Sequence, residues 1–288
     1  MTVAERLREG LGRCSPAERR VGRALLADYP VAGLETVASL AARAETSGPT
    51  VLRFLARLGF AGFPEFQHTL RAELAEREAS PLAMLSSADV TAGSDTGGRP
   101  RVDVLARALA TVPTATVQTL EQLPGDELSA AIELMADRRR RILAEGGRFT
   151  RLIAEYLVRH LVQVRGGAHV LPLHPVERAD LLVGLGRRDV LVVFDFRRYE
   201  AASKELADRC AEAGAKVILV TDRWLSPIAS VADVVLPVRV EPLSIYDSLV
   251  PAFAVAEVLV AGVLEACGER AVERLRQFEE VSQRYGVL

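Results

Sequence analysis

Short runs of valine, isoleucine and leucine alternate with amphipathic helical segments between residues 140 and 238. The runs are RRILA, AHVLP, DVLVVFDF, KVILVTD and DVVLPV. Continuous apolar runs of this length are typical of parallel strands that are covered on both faces of a sheet. The sequence therefore predicts a C-terminal α/β domain, with a parallel sheet flanked by helices on both faces.

An all-α region precedes this domain. In the segment SPAERRVGRALLADYP, Ser15, Pro16 and Glu18 form the capping-box pattern of a helix start. A short helix at residues 37–43 and a second helix at residues 48–58 follow, joined by a tight turn. This pair predicts a helix-turn-helix, and the alternative is a plain helical bundle with a solvated basic edge.

The second helix of this pair is amphipathic. Its apolar positions recur at helical spacing and predict a buried face, which consists of Val51, Phe54, Leu55 and Leu58. The opposite face carries small polar groups and arginines. The DNA-binding residues that we expect there are Ser47, Thr50, Arg53 and Arg57. Ser47 is also expected to cap this helix.

A loss of periodicity marks the boundary between two domains. Residues 80–100 are rich in serine, glycine, aspartate and proline, which is typical of a linker. We predict a helix-turn-helix domain at residues 1–78, a linker at 79–100 and a ligand-binding and dimerisation domain at 101–288. Further helices are expected at residues 102–123, 126–137, 244–266 and 269–285. Ser244 and Asp247 are expected to cap the third of these.

Composition limits the class of protein. A formal net charge of −2 over 288 residues argues against a surface that is basic throughout, although a small DNA-reading face fits within it. The first ten residues carry charge throughout and lack the apolar core of a secretory signal, which predicts a cytoplasmic protein. The apolar stretch 249–264 falls short of the roughly 20 residues that span a bilayer. We expect no membrane partner, and we expect this stretch to be a core helix with one side at a subunit interface.

The sequence shows no pattern of a metal or cofactor site. The three cysteines lie far apart and lack the paired spacing of metal or redox sites. His160, His169 and His174 have no acidic or histidine partner at a spacing that suits metal binding. We therefore expect the protein to contain neither a metal nor a cofactor.

Three stretches resemble a known family. The segments SPAERRVGRALL and SGPTVLRFLARLGFAGFPEFQHTLR resemble the helix-turn-helix of the MurR/RpiR family of bacterial transcription regulators. The segment AEAGAKVILVTDRWLSPIASVADVVLPV is similar to part of the sugar isomerase (SIS) domain that follows in this family. The resemblance implies a homodimeric or homotetrameric regulator that senses a small metabolite. A two-fold assembly is expected to bind an inverted-repeat operator in double-stranded DNA.

Two loops depart from the family pattern, and both belong to the SIS ligand site. The first strand ends in AEGGRFT, with Gly146 and Gly147 retained but no serine in the expected place. The third strand ends in FDFRRYE, where the family has a Ser-x-Ser-Gly-x-Thr turn that holds the phosphate of a phosphosugar. Arginine presents a planar fork of donors to a carboxylate or a phosphate. We therefore expect a remodelled site for a sugar phosphate, a sugar acid or another carboxylate.

The residues expected at this site lie in loops at strand ends. They are Gly147, Arg148, Thr150, Arg197, Arg198, Tyr199, Thr221 and Ser226. Tyr246 or Ser248 is expected to face the ligand as well. The alternative is that Arg197 pairs with Asp195 or Asp222 and that the domain only dimerises.

SIS folds also carry aldose–ketose isomerases, which need a positioned base and a ring-opening acid. Glu145, Asp195, Glu200 and His174 are available as acid–base groups, and none of them sits in a recognisable catalytic motif. A helix-turn-helix is superfluous to an isomerase. We therefore expect a regulator without catalytic residues, and a sugar-phosphate isomerase is the alternative.

Overall fold

The computed structural model describes residues 2–3, 6–7, 10, 14–27, 29–78 and 100–286. The chain divides into two compact units, residues 1–89 with 223–230 and residues 90–222 with 231–288. Each unit has its own hydrophobic cluster. Residues 79–99 of the expected linker lie outside the described residues, and Pro100 is the first residue of a helix.

The first unit is all-α, as the sequence predicts. Its helices are α1 (Pro16–Ala27), α2 (Val31–Leu34), α3 (Val37–Arg43), α4 (Gly48–Arg57) and α5 (Phe63–Glu78). The predicted capping box is present at α1, because the Ser15 N–H donates to Glu18 Oε2 at 2.8 Å and the Glu18 N–H donates to Ser15 Oγ at 3.3 Å. The buried rings of Phe54 and Phe66 place α4 and α5 in one core.

The second unit is an α/β domain with the predicted order of elements. Its strands are β1 (Arg141–Gly146), β2 (Ala168–Val170), β3 (Asp189–Asp195), β4 (Lys216–Asp222) and β5 (Val234–Val238). Its helices are α6 (Pro100–Gln122), α7 (Gly125–Ala136), α8 (Arg151–Val164), α9 (Pro175–Leu182), α10 (Ala201–Glu212), α11 (Val250–Cys267) and α12 (Glu269–Arg284). The predicted parallel sheet and its flanking helices are confirmed.

The five strands are parallel and lie in the order β2-β1-β3-β4-β5. Ile142, Val190 and Ile218 share one hydrophobic cluster with α7, α8 and α11, while α10 packs against β3 and β4. The chain leaves β1 for β2 on one side and returns to β3 on the other side. The sheet therefore has a topological switch point between β1 and β3, where open α/β sheets bind their ligands.

Helix α11 begins later than the sequence predicts. The predicted start is Ser244, but residues 244–249 form a loop and the helix begins at Val250, with Pro251 in its first turn. The predicted cap at Asp247 is wrong, because this carboxylate forms an ion pair with Arg197. Among the described residues, α11 is long and apolar enough to cross a membrane by length and composition, but it packs against α6, α7 and α8.

Candidate functional site

The helix-turn-helix is formed by α3 and α4. The Thr36 hydroxyl caps α3 by accepting the Ser39 N–H at 3.1 Å. In the turn that follows, Glu45 adopts a left-handed conformation with a φ of 48°. Arg20 of α1 donates to the carbonyl oxygens of Ala44 and Glu45, each at 3.2 Å. These bonds tie the turn to α1 and fix the direction in which α4 leaves it.

Helix α4 buries the face that its apolar spacing predicts. The fully buried side chains are Val51, Phe54 and Leu55. Ser47 and Arg53 are exposed, which is the placement expected of residues that contact DNA. Leu52 is exposed beside Arg53, and sequence reasoning missed it because an apolar residue gives no signal for a DNA contact.

Thr50 does not lie on the exposed face, contrary to the placement that the sequence predicts. It is only 6% exposed. The reason is that Thr50 lies four residues before Phe54, at the edge of the buried face. Its hydroxyl lies 3.0 Å from Ser47 Oγ and accepts Arg53 Nη2 at 3.1 Å. Thr50 is therefore placed to orient Arg53.

Arg57 is only partly available to a DNA partner. Its side chain is half exposed, and its Nε lies 3.5 Å from Glu18 Oε1 in α1. Glu18 is buried, but its pKa is lowered from the usual value, chiefly because the carboxylate accepts the Ser15 N–H and also because it faces Arg57. Arg57 thus links α4 to the charged end of α1.

A cavity of about 910 Å³ opens beside the carboxyl end of β1. The loop after β1 and the helices α9 and α10 line it, with Gly147, Arg148, Arg178 and Glu200 among the lining residues. A Cβ on Gly146 would lie 2.6 Å from the Arg151 nitrogen, so the loop requires glycine at this close approach to α8. A Glu200 oxygen lies against the backbone of Gly147.

The charges around this cavity are mixed and largely paired. Glu145 is buried at the end of β1 and accepts two hydrogen bonds from Arg178, at 2.9 and 3.0 Å. Arg151 donates to Glu155 and to the carbonyl oxygen of Leu171. Both oxygens of the Glu145 carboxylate are thus engaged by Arg178 and not free to face the cavity as a general base.

Asp222 holds the turn that follows β3. It is fully buried at the end of β4. One of its carboxylate oxygens accepts the backbone N–H of Arg197, and the other accepts the Tyr199 hydroxyl at 2.6 Å. The two bonds fix the backbone of the FDFRRYE turn on both sides of Arg198, which adopts a left-handed conformation with a φ of 64°.

The Arg197 side chain is only 5% exposed and pairs with Asp247. Its Nε donates to Asp247 Oδ2 at 2.5 Å, and its Nη2 contacts Asp247 Oδ1. The alternative in which Arg197 is paired within the domain therefore has a structural basis, because its side chain pairs with Asp247 and its backbone N–H donates to Asp222. Burial raises the pKa of Asp247 above its usual value even though Arg197 and Arg198 lower it.

The residues that the sequence assigned to one ligand site lie in different surroundings. Gly147 and Arg148 line the cavity, and Thr150 is the residue before α8. Arg198 is exposed, and Thr221 is fully buried in β4. Ser226 Oγ accepts the Ile228 N–H in its own turn. Their assignment to a ligand stays a prediction.

Tyr246 and Asp247 form the part of the site that sequence reasoning described least well. The Tyr246 ring packs edge-on against the Phe149 ring with a centroid distance of 6.1 Å, and the Arg148 guanidinium lies 5.3 Å from the centre of the Phe149 ring. An aspartate that caps a helix and an aspartate in a loop that pairs with an arginine have the same local sequence pattern, so the sequence did not show which role Asp247 has. The described residues contain no group of histidine, cysteine and carboxylate side chains that could hold a metal ion.

Two family models match this chain. Residues 1–77 match the helix-turn-helix domain of the rpiR family, and residues 134–262 match the SIS domain. The chain therefore carries an RpiR-type helix-turn-helix domain followed by a SIS domain. The RpiR match confirms the resemblance of the N-terminal stretch and contains the whole of α3 and α4. The SIS match contains β1, β3 and the loops that follow them.

Solved structures share the fold of this chain. The sugar isomerase domain of an RpiR transcription factor from Sphaerobacter thermophilus is 24% identical, with a TM-score of 0.57 and coverage of 64% of this chain and 99% of that one. The Vibrio vulnificus NanR protein complexed with ManNAc-6P is 18% identical, with a TM-score of 0.53 and coverage of 98% of both chains. At these identities the likeness shows the fold.

Curated relatives of this chain are considerably longer. The bifunctional protein glk of Burkholderia mallei is 28% identical over 236 residues, which is 81% of this chain and 34% of that protein. The bifunctional protein glk of Paraburkholderia xenovorans is 29% identical over 236 residues, which is 81% of this chain and 35% of that protein. The chain therefore spans about a third of the length of the curated relatives that it matches.

Proposed function

We propose that this chain is a cytoplasmic transcription regulator whose SIS domain binds a small anionic metabolite and changes DNA binding in response. The observation that carries the proposal is the union, in one chain, of an RpiR-type helix-turn-helix and a SIS domain. The exposed Arg53 on α4 supports the DNA-binding half. Basic and small polar side chains on such a helix suit the base edges and phosphates of a major groove.

An anionic ligand suits the chemistry at the switch point. Arg148 and Arg178 line the cavity, and Arg198 is exposed at the neighbouring strand end. NanR, which shares the fold, is complexed with ManNAc-6P. In this chain the FDFRRYE turn lacks the serine and threonine hydroxyls of the family pattern. A sugar phosphate, a sugar acid or another carboxylate therefore remains the proposed class of ligand.

A regulator whose SIS domain only dimerises is the second candidate. The buried pairing of Arg197 with Asp247 favours it, because that arginine already has an anionic partner within the domain. An isomerase is not favoured. The bidentate contact with Arg178 engages Glu145, a buried carboxylate that lines the cavity.

The assembly is proposed to be a homodimer or a homotetramer, and α6 supplies an apolar surface for it. Exposed side chains recur along this helix at Leu105, Leu109, Val117 and Leu120. Leu109 is the most exposed of these four side chains, at 66%. A stripe of this kind on one helix suits burial against a second copy, and two copies would place two DNA-binding units on one operator.

Replacing Leu109 with glutamate is expected to dissociate this assembly at micromolar concentrations, because it would bury a charge in an apolar interface. Light scattering on the wild type and on Leu109→Glu measures the mass. Leu173→Glu changes another side chain that is 76% exposed, outside α6, and serves as the control. A monomeric wild type, or a Leu109→Glu variant with unchanged mass, contradicts the placement of the interface on α6.

The experiment that tests the proposed function is selection of binding sites from random double-stranded DNA by the full chain. We expect enrichment of an inverted repeat with half-sites about one helical turn apart, since a two-fold assembly reads a two-fold site. Fluorescence anisotropy with the enriched duplex and a scrambled duplex then gives the specificity ratio. Equal affinity for both duplexes at physiological salt would exclude a sequence-specific regulator.

A further inference from the structure

Arg197 contacts the carboxylate of Asp247 in the way that a binding-site arginine contacts the carboxylate of a ligand. It is almost fully buried, and both Nε and Nη2 contact the two oxygens of one carboxylate, that of Asp247. Nε donates a hydrogen bond to Oδ2 and Nη2 lies close to Oδ1 as an ion pair, and arginine pairs with carboxylates through such contacts of two nitrogens with two oxygens. The arginine lies at the end of β3, beside the switch point of the sheet.

Asp247 is an unusual partner because it comes from a loop and is held at a cost. It lies between β5 and α11, and one isolated bridge with Pro242 ties its backbone. Burial and the nearby Glu241 disfavour its charged form, which Arg197 and Arg198 favour. Because Asp247 belongs to a loop and not to a strand or helix, its carboxylate can leave Arg197 without breaking the sheet.

Arg197 itself would stay in place if Asp247 left. Its backbone N–H donates to Asp222, and the same carboxylate holds Tyr199 two residues further on. Asp222 is fully buried at the end of β4, outside the 241–249 loop. The positively charged Arg198 is exposed beside this position, where it can act as a second cation for a ligand.

The loop that carries Asp247 also reaches the other strand end at the switch point. The Tyr246 ring packs against the ring of Phe149 in the loop after β1, and Arg148 lies over the Phe149 ring. Helix α11 starts at Val250, three residues after Asp247. Displacement of Asp247 would therefore move the contact with the β1 loop and the start of α11 together.

We propose that Asp247 occupies the place of a ligand carboxylate on Arg197, and that a small carboxylate-bearing metabolite binds there by displacing it. Asp247, carried by the loop of residues 241–249, then competes with the ligand carboxylate for Arg197 and moves away when the ligand binds. The inference rests on the proposed function, since it names the ligand class and the regulation of the same site. The ligand group that we propose is a carboxylate, because it reproduces the contacts that Asp247 makes.

The test is chemical rescue of the full-length Asp247→Ala variant by acetate. The variant is expected to unfold about 6–15 °C below the wild type, because a buried arginine loses its counter-ion. Sodium acetate at about 100 mM is expected to restore about 3–5 °C relative to sodium chloride at the same concentration, with a saturating dose response. The wild type is expected to show no difference between the two salts.

The double variant Asp247→Ala/Arg197→Met is the matched control, and acetate is expected to have no effect on it. Asp247→Asn keeps the size of the side chain and serves where Asp247→Ala does not fold. Since the amide fills the place of the carboxylate, we expect a lower melting temperature without rescue. Equal effects of acetate and chloride on Asp247→Ala would overturn the proposal, as would rescue that persists without Arg197.

Inorganic phosphate at the same ionic strength separates the two oxyanion chemistries. We expect it to rescue Asp247→Ala less than acetate does, and a larger effect of phosphate would contradict the commitment to a carboxylate. These measurements change residues of the SIS domain only and use no DNA. Failure of acetate rescue with intact specific DNA binding therefore removes this inference only, whereas loss of sequence-specific DNA binding removes the proposed function.

Discussion

Replacement of Asp222 by alanine is expected to lower the free energy of unfolding by about 2–4 kcal/mol. The carboxylate is fully buried and accepts both the Arg197 N–H and the Tyr199 hydroxyl. Its removal takes the acceptor from two donors at once and leaves a space in a packed strand end. Urea unfolding of the full chain, followed by circular dichroism, measures the loss.

Tyr199→Phe is the control for this prediction, because it removes one of the two hydrogen bonds and keeps the ring. We expect it to cost about 1 kcal/mol, which is the usual net worth of a single hydrogen bond. Asp222→Asn keeps the shape of the side chain, and we expect it to fall between the two. If Asp222→Ala and Tyr199→Phe lose the same stability, Asp222 does not hold the Arg197 backbone.

Arg53→Ala is expected to weaken binding to the selected operator about 5- to 150-fold, or about 1–3 kcal/mol, if the side chain contacts a base. Arg53 is exposed on α4, and its Nη2 is held by the Thr50 hydroxyl at 3.1 Å. A contact with phosphate instead predicts a similar loss on every sequence and a smaller dependence on salt. Anisotropy titrations with the operator and a scrambled duplex at two salt concentrations separate these cases.

Two further variants make this prediction sharper. Thr50→Val keeps the shape of the buried side chain but removes the hydroxyl that orients Arg53, so we expect a smaller loss in the same direction. Arg276→Ala removes the same charge from α12 in the other unit, where the side chain is 68% exposed, and we expect no change. Unchanged operator binding by Arg53→Ala would remove this residue from the DNA interface.

Sequence patterns predicted the starts of regular elements where the deciding contacts are local, and failed where a side chain has a distant partner. The capping pattern at Ser15 and Glu18 predicted the start of α1, because its hydrogen bonds join residues three apart. The predicted start of α11 at Ser244 was wrong by six residues, because Asp247 has a stronger partner 50 residues away. Local patterns do not contain such a partner.

The helices, the strands, the parallel sheet and the family resemblance could be predicted from the sequence, because apolar spacing, caps and motifs are formed by residues that are close together in the chain. The pairing of charges at the strand ends became visible in the folded chain. Arg197 could pair with any of several acidic residues in sequence, and the folded chain selects Asp247. It also buries Thr50 at the edge of the α4 core, where its hydroxyl orients Arg53. Such contacts depend on where distant loops and helix faces come to lie, which the spacing of residues along the chain does not encode.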